Sequence, residues 1–294
     1  MEPLVIAICT RARPTSLRRL LDCLAEQSWP AGVSVLVVDN DRVHSARMVV
    51  DAVAQTFPVA LDYVTQERPG YATVRNAALD RVVAGTAICF IDDDALVPPG
   101  WVEAMRGEQV RHPDAVVRSR YLHVPQSPSS SQALTTLVER TRIVDLRPAG
   151  TSGLLLPAKA TRDFRFDSYF DHSGAEDMDL LARLQTHGFH EVLADAVVIE
   201  DDRVQVLAQE QQRQLARWNG RLATIAMARR GSGTLGFRAS ALAQSVWASA
   251  QAALRRLLGR RAAAQAYGNL AASRWAMATA PLKPPKTLGS RPVV

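Results

Sequence analysis

The stretch Thr86-Ala87-Ile88-Cys89-Phe90-Ile91-Asp92-Asp93-Asp94 decides the fold class. Its first six residues carry no charge and make a short apolar run, which reads as a strand buried on both faces. The run ends in three carboxylates. In an extended segment, residues two apart share a side, so Asp92 and Asp94 converge and Asp93 faces away. Adjacent carboxylates repel unless a cation sits among them. A hard divalent ion, held by carboxylates and by phosphate oxygens of a ligand, suits such a group. The competing reading is a solvated acidic turn, and the position at the end of an apolar strand speaks against it.

Working outward, Leu4–Cys9, Val33–Val38 and Val59–Val64 are further apolar runs of strand length. Between them lie helical patterns. One follows Pro14, with Leu17, Leu20, Leu21 and Leu24 on one face, and another covers about 70–83. Apolar strands alternating with helices predict a mostly parallel sheet with helices on both faces. Ligands of such sheets bind outside the carboxyl ends of the strands, which makes Thr10, Asp39 and the Asp triplet candidate site residues. Further on, Gln126–Ser131 reads as a loop before a helix near 134–142, and Gly153–Leu156 as a short strand. Glu176–Thr186 reads as a helix closed by Gly188 and Val192–Ile199 as a strand ending in Glu200-Asp201-Asp202. A helical pattern covers 204–227. Gly231-Ser232-Gly233 marks a boundary, giving an α/β domain over 1–230 and a basic, helical extension with a flexible tail over 231–294.

Composition bounds the rest. A chain of 294 residues with 47% hydrophobic and 22% charged residues has enough apolar surface for a core and is not low-complexity. Ala239–Leu254 is too short and too rich in Ser and Gln to span a membrane. No signal peptide is evident before Leu4. Cys9, Cys23 and Cys89 are an odd number without CxxC spacing, which fits reduced thiols in a cytoplasmic protein and no zinc site. The formal charge of +6 divides unevenly: residues 1–202 sum to −8 and residues 203–294 to +14, with Glu210 the one acid of the latter. An acidic body with a basic arm implies a polyanionic partner.

Five elements in order resemble the inverting glycosyltransferases of family 2, which have the GT-A fold. They are Cys9-Thr10-Arg11-Ala12-Arg13-Pro14, Val37-Val38-Asp39-Asn40, Gly70-Tyr71-Ala72-Thr73-Val74-Arg75-Asn76-Ala77, Phe90-Ile91-Asp92-Asp93-Asp94 with Pro98 and Trp101, and Gly174-Ala175-Glu176-Asp177-Met178-Asp179-Leu180. The resemblance implies a Rossmann-like GT-A domain that moves a sugar, of the hexosyl type, from a nucleotide diphosphate sugar to an acceptor hydroxyl. By that resemblance Thr10 and Asp39 contact the nucleotide base with Arg75 nearby. Asp92 and Asp93 lie near the ribose and metal, and Asp94 is the direct ligand of Mn2+ or Mg2+. Asp177 is the base and Glu176 orients the acceptor. A carboxylate accepting from a pyrimidine N3–H is sound hydrogen-bond chemistry. Arg11 and Arg13 either reach phosphates or form structural salt bridges.

Gln214-Leu215-Ala216-Arg217-Trp218 resembles the QxxRW motif of the processive synthases in the family, where Arg217 would hold the diphosphate and Trp218 would stack on a sugar. Many relatives follow the catalytic pair with a metal-binding His, whereas this strand ends at Glu200. Either Glu200 joins Asp92 and Asp94 as an oxygen ligand, or Asp94 and phosphate suffice. His172, His187 and His190 then fall to loop or surface positions.

Past Gly233, Leu242, Val246, Ala250, Ala253 and Leu257 recur at helical spacing beside Trp247, Leu254 and Leu258, among Arg238, Arg255, Arg256, Arg260 and Arg261. An interfacial helix on anionic lipid, a core-packing helix and an oligomer contact all fit. The expectation is a UDP-sugar-dependent transferase at the cytoplasmic membrane face, with a cell-envelope, polysaccharide or lipid-linked glycan as acceptor. A nucleotidyltransferase ranks below it, since the first strand is followed by no glycine-rich loop. A nucleic-acid-binding protein ranks last, because the body is acidic and no basic–aromatic interleaving is present.

Overall fold

The computed structural model describes residues 2–124, 127–128, 130–143, 146–201, 216–220, 224–225, 234–258 and 261–280. Contacts divide the chain into two units. The first takes in Met1–Ser168 and Leu180–Asp202, the second Tyr169–Asp179 and Arg203–Val294. The boundary expected at 230/231 is therefore not where the contacts part, because the segment carrying Glu176 and Asp177 groups with the C-terminal residues.

The first unit is built on one sheet. Strands β1 (Leu4–Thr10), β2 (Val33–Asp39), β3 (Leu61–Thr65) and β4 (Ala87–Asp92) are all parallel, in the order β3-β2-β1-β4. Helices α1 (Pro14–Ala25), α2 (Arg47–Ala54) and α3 (Tyr71–Arg81) make the crossovers. Beyond β4 come α4 (Trp101–Arg111), β5 (Val116–Val124), α5 (Ser131–Glu139), β6 (Arg147–Pro148), β7 (Leu154–Leu156) and α6 (Ala158–Asp163). Here the sheet turns mixed: β7 lies antiparallel between β4 and β5, and β6 pairs antiparallel with β5. After α7 (Glu176–Thr186), strand β8 (Glu191–Asp201) runs parallel to β5.

The strand period explains the core. Leu4, Ile6 and Ile8 of β1 point into a cluster with Leu17, Leu20, Leu21 and Leu24 of α1. Ala7 points the other way, into a cluster with Ala72, Ala78 and Leu79 of α3 and Leu180 and Leu184 of α7. Each fully buried Leu contributes about 1.5–3 kcal/mol over an exposed one, so both faces of the sheet are stably covered. The mostly parallel sheet with two helical layers follows the sequence expectation, and β7 with β6 is the antiparallel departure.

The second unit contains helical segments at 216–220 and 224–225, then α8 (Thr234–Leu257) and α9 (Arg261–Thr279), which pack on one another. Most of the helix expected over 204–227, Gln214 included, lies outside the described residues, as do Gln126 and Ser129 of the loop expected at Gln126–Ser131. Among the described residues no helix is long and apolar enough to cross a membrane.

Candidate functional site

Parallel register brings three sequence-predicted residues to one sheet edge. Thr10 stands opposite Asp39, and Cys9 opposite Asp92. Strand β4 ends at Asp92, so Asp93 and Asp94 leave the sheet in a turn. Asp93 is only 3% exposed. Its carboxylate is nonetheless well partnered: the Thr10 hydroxyl donates to Oδ2 at 2.7 Å and Arg13 Nη1 donates to Oδ1 at 3.0 Å. Burial raises the Asp93 pKa, while the Thr10 hydrogen bond and the Arg13 charge oppose the rise.

Arg13 Nη1 also lies 2.9 Å from Asp94 Oδ2, so a single guanidinium bridges the two carboxylates. It reaches them because Ala12 adopts a left-handed φ of 54° and folds the chain back after β1. Of the two roles open to Arg13, this structure shows the salt bridge. Arg75, nearly buried on α3, pairs with Asp92 Oδ1 at 3.2 Å. The triplet is thus held by two arginines, and Arg11 remains exposed.

Asp39 has no exposed surface. Its Oδ1 accepts from the Asp41 amide at 2.9 Å, and its Oδ2 accepts from the Ala46 amide at 3.0 Å and the Tyr63 hydroxyl at 2.9 Å. The carboxylate expected on a nucleotide base is therefore an anchor for the loop after β2. With no exposed surface, this carboxylate meets a base only if the loop it anchors shifts. Thr10 likewise spends its hydroxyl on Asp93. Asn40 ties the loop before α3 by donating to the carbonyls of Gln66 and Arg68 and accepting from the Gly70 amide.

Glu200, near the end of β8, lies beside Asp92 and Asp94. Burial is the main cause that pushes its pKa up to about 8, and the charges of those two aspartates add to it. The Tyr121 hydroxyl donates to its Oε2, while Oε1 is buried without a hydrogen-bond partner. Among the described residues no three His, Cys, Asp or Glu side chains already stand as a closed metal-ligand set. The donor chemistry nevertheless fits a hard divalent cation. Asp92, Asp94 and Glu200 offer oxygen ligands only, and the buried, unsatisfied Oε1 of Glu200 is the one that lacks a partner. His172, His187 and His190 are exposed.

In the second unit, Glu176 and Asp177 open α7, where a helix N-terminus favours negative charge. Glu176 is buried, Asp177 is half-buried, and Asp177 Oδ1 accepts from the Met178 amide at 2.8 Å. The turn before them is strained. Gly174 and Ala175 both have φ of 78°, a left-handed conformation that costs Ala about 1–2 kcal/mol. Trp218 secures this turn: its indole Nε1 donates to the Ser173 carbonyl at 3.0 Å, and its ring packs with Tyr169, Phe170 and Ala175. Its indole N–H thus serves the protein's own backbone, beside the residue expected to act as base. Arg217 is exposed.

Sequence reasoning missed Tyr63, Tyr121, Asn40 and Ser152, whose hydroxyl accepts from the Asp92 amide at 3.2 Å. These residues sit in strands or loops with no local pattern of their own. Asn40 alone had a signal, being a polar residue directly after a strand-end Asp.

The family described as "Glycosyl transferase family 2" matches residues 5–164, covering β1 through α6. The succinoglycan biosynthesis protein ExoM of Rhizobium meliloti (strain 1021) is 34% identical over 99 residues, covering 33% of this chain and 31% of ExoM. The match therefore spans about a third of that relative's length. Two solved structures share the fold. The mannosyltransferase PcManGT of Pyrobaculum calidifontis, in complex with GDP-Man and Mn2+, superposes with a TM-score of 0.64 at 18% identity, over 94% of this chain and 85% of the other. S. aureus TarS 1-349, in complex with UDP-GlcNAc, gives 0.54 at 16% identity, over 94% and 90%. The sheet with its helices is thus the GT-A fold anticipated from the motifs. With a match over more than half of its length, the chain belongs to glycosyl transferase family 2.

Proposed function

We propose that the chain is a metal-dependent, inverting glycosyltransferase that takes a hexosyl group from a nucleotide diphosphate sugar, a UDP-sugar first, and places it on an acceptor hydroxyl. One observation carries the reading. Three carboxylates, Asp92, Asp94 and Glu200, lie close together at the carboxyl edge of a parallel sheet, and the two aspartate charges add to the burial that raises the proton affinity of Glu200. Such a group calls for a cation. TarS with UDP-GlcNAc and PcManGT with GDP-Man and Mn2+ support a nucleotide-sugar donor and a divalent ion. Asp94, Asp92 and Glu200 would hold Mn2+ or Mg2+, which when bound supplies Lewis-acid neutralisation of the departing diphosphate.

The chain's own residues do the remainder. Thr10 and Arg13 hold Asp93, and Arg75 holds Asp92, fixing the edge on which the donor lies. Asp39 supports base recognition through the loop it anchors, and the exposed Arg11 and Arg217 are assigned to the phosphates. Asp177 takes the proton from the acceptor hydroxyl while the acceptor oxygen attacks the anomeric carbon. The bond from that carbon to the diphosphate breaks in the same displacement, inverting the centre. Glu176 orients the acceptor. The acceptor is a cell-envelope, polysaccharide or lipid-linked glycan, a reading supported by the name of ExoM. The site of action is the cytoplasmic face of a membrane, reached by peripheral attachment through residues 231–294.

Thermal-shift measurements with UDP-, GDP-, TDP- and CMP-sugars, each with Mn2+ and Mg2+, test this reading. Stabilisation by one nucleotide class that disappears in Asp94→Ala is expected. Asp177→Asn should keep that stabilisation and lose transfer. Absence of a response to every donor, or transfer by Asp177→Asn at the wild-type rate, overturns it.

A further inference from the structure

The helical pair of the second unit is built inside out. On α8 the buried residues are small: Ala241, Ser245, Ala248 and Ala252, spaced four, three and four apart along one face. They pack on α9, whose buried residues Ala264, Ala271 and Ala276 are equally small, and the Ser245 hydroxyl donates to the Ala271 carbonyl at 3.0 Å. The large apolar side chains point outward. Leu242, Val246 and Leu257 follow the opposite face, Val246 and Leu257 being 65% and 86% exposed, and Trp247, Leu254 and Leu258 flank them. Ala239, Ala243, Ala250 and Ala253 fill the rest of this face and are exposed too. The stripe contains no charged residue and runs from Ala239 to Leu257, about 27 Å at 1.5 Å per residue. An apolar patch of this size on a soluble surface marks an interaction site.

Charge selects the occupant. Residues 234–294 contain no Asp or Glu, while Arg255-Arg256 and Arg260-Arg261 bracket Leu257 and Leu258 in sequence. The positive charge is not cancelled within the pair. Arg238 donates to the Ala278 carbonyl at 2.8 Å, and Arg255 lies 4.4 Å from the centre of the Tyr267 ring, neither partner being a carboxylate. A second copy of the chain would set like charge against like. An anionic bilayer offers both an apolar phase for the stripe and phosphates for the arginines. We infer that the outer face of α8, along Leu242, Val246, Leu254 and Leu257, is the surface that docks on anionic lipid, with the helix lying in the plane of the interface. This deepens the membrane attachment proposed above and rests on it for the place of action. Of the three fits open to these apolar positions, packing into the protein's own core is the one the exposure removes.

Flotation of the full chain with vesicles of phosphatidylcholine, with and without phosphatidylglycerol, is the test. The wild type should float with the anionic vesicles only and be released by salt. Val246→Glu and Leu257→Glu, at positions already exposed, should keep the circular dichroism spectrum and reduce the bound fraction about tenfold or more, since each removes a Val- or Leu-sized burial. Equal flotation of variants and wild type, no flotation of the wild type, or equal binding to both vesicle types overturns the proposal. So does a lipid-free dimer that Val246→Glu disperses, which would make a second copy the occupant. Donor-induced thermal shifts of the same preparations read the transferase assignment separately, so either idea can fail while the other stands.

Discussion

Replacing Trp218 by Phe removes one hydrogen bond and keeps most of the ring. The lost bond is the indole Nε1–H to the Ser173 carbonyl, 3.0 Å long, at the turn that leads into Glu176 and Asp177. A bond of this kind contributes about 0.5–1.5 kcal/mol net. The turn it holds includes Ala175 at φ 78°, whose strain of about 1–2 kcal/mol is of the same size. Without the indole donor the turn should leave its strained conformation for part of the time. About 1 kcal/mol of lost positioning lowers kcat about fivefold, while the donor KM stays near its wild-type value. Ala175→Gly removes the steric cost and adds about 0.4–1 kcal/mol of unfolded-state entropy. It should be near neutral alone and should restore most of the rate in the Trp218→Phe background. Steady-state assays of nucleotide release, with donor and acceptor varied in turn, measure these effects. A raised donor KM with unchanged kcat would return Trp218 to the sugar-stacking role suggested by its motif, and a double variant no faster than Trp218→Phe would refute the strain argument.

Two further outcomes follow from burial and geometry. Cys9 and Cys23 are both half-buried and Cys89 is buried; burial raises all three thiols, Cys9 up to about 12. A thiol reagent at pH 8, followed by mass spectrometry, should label Cys23 ahead of Cys9 and reach Cys89 only on unfolding; early labelling of Cys89 contradicts the buried strand. Gly153 has φ 81°, and an added Cβ would fall 1.7 Å from Ser119 Oγ. Gly153→Ala should therefore cost about 2–5 kcal/mol from left-handed strain plus overpacking, read as a lower urea midpoint, and an unchanged midpoint would refute the clash with Ser119.

Legibility tracked how local each signal is. Thr10, Asp39 and Asp92 end apolar runs, and parallel pairing sets such ends side by side, so their shared edge could be read from one dimension. Strand β5 was hidden because Arg118, Ser119 and Arg120 interrupt its apolar pattern. The partners that make those residues tolerable, such as Glu191 at 2.8 Å from Arg118 and the Ala149 carbonyl at 2.9 Å, lie far along the chain. The alternation rule separated Asp93 from Asp94, whereas the strand ends at Asp92 and Arg13, carried past the left-handed Ala12, bridges the two. The exposed stripe on α8 was visible as a periodicity, but its direction was not, because a helical period locates a face without saying what lies against it.

The bridging guanidinium of Arg13 has a consequence for how ligands arrive. A carboxylate oxygen already 2.9 Å from one cation is an unfavourable place for a second. A divalent ion on Asp94 would therefore compete with Arg13, leaving the guanidinium paired with Asp93 alone and its other side open to an incoming diphosphate. Cation and nucleotide then favour each other's binding through this one side chain, and neither needs a moving domain to be coupled.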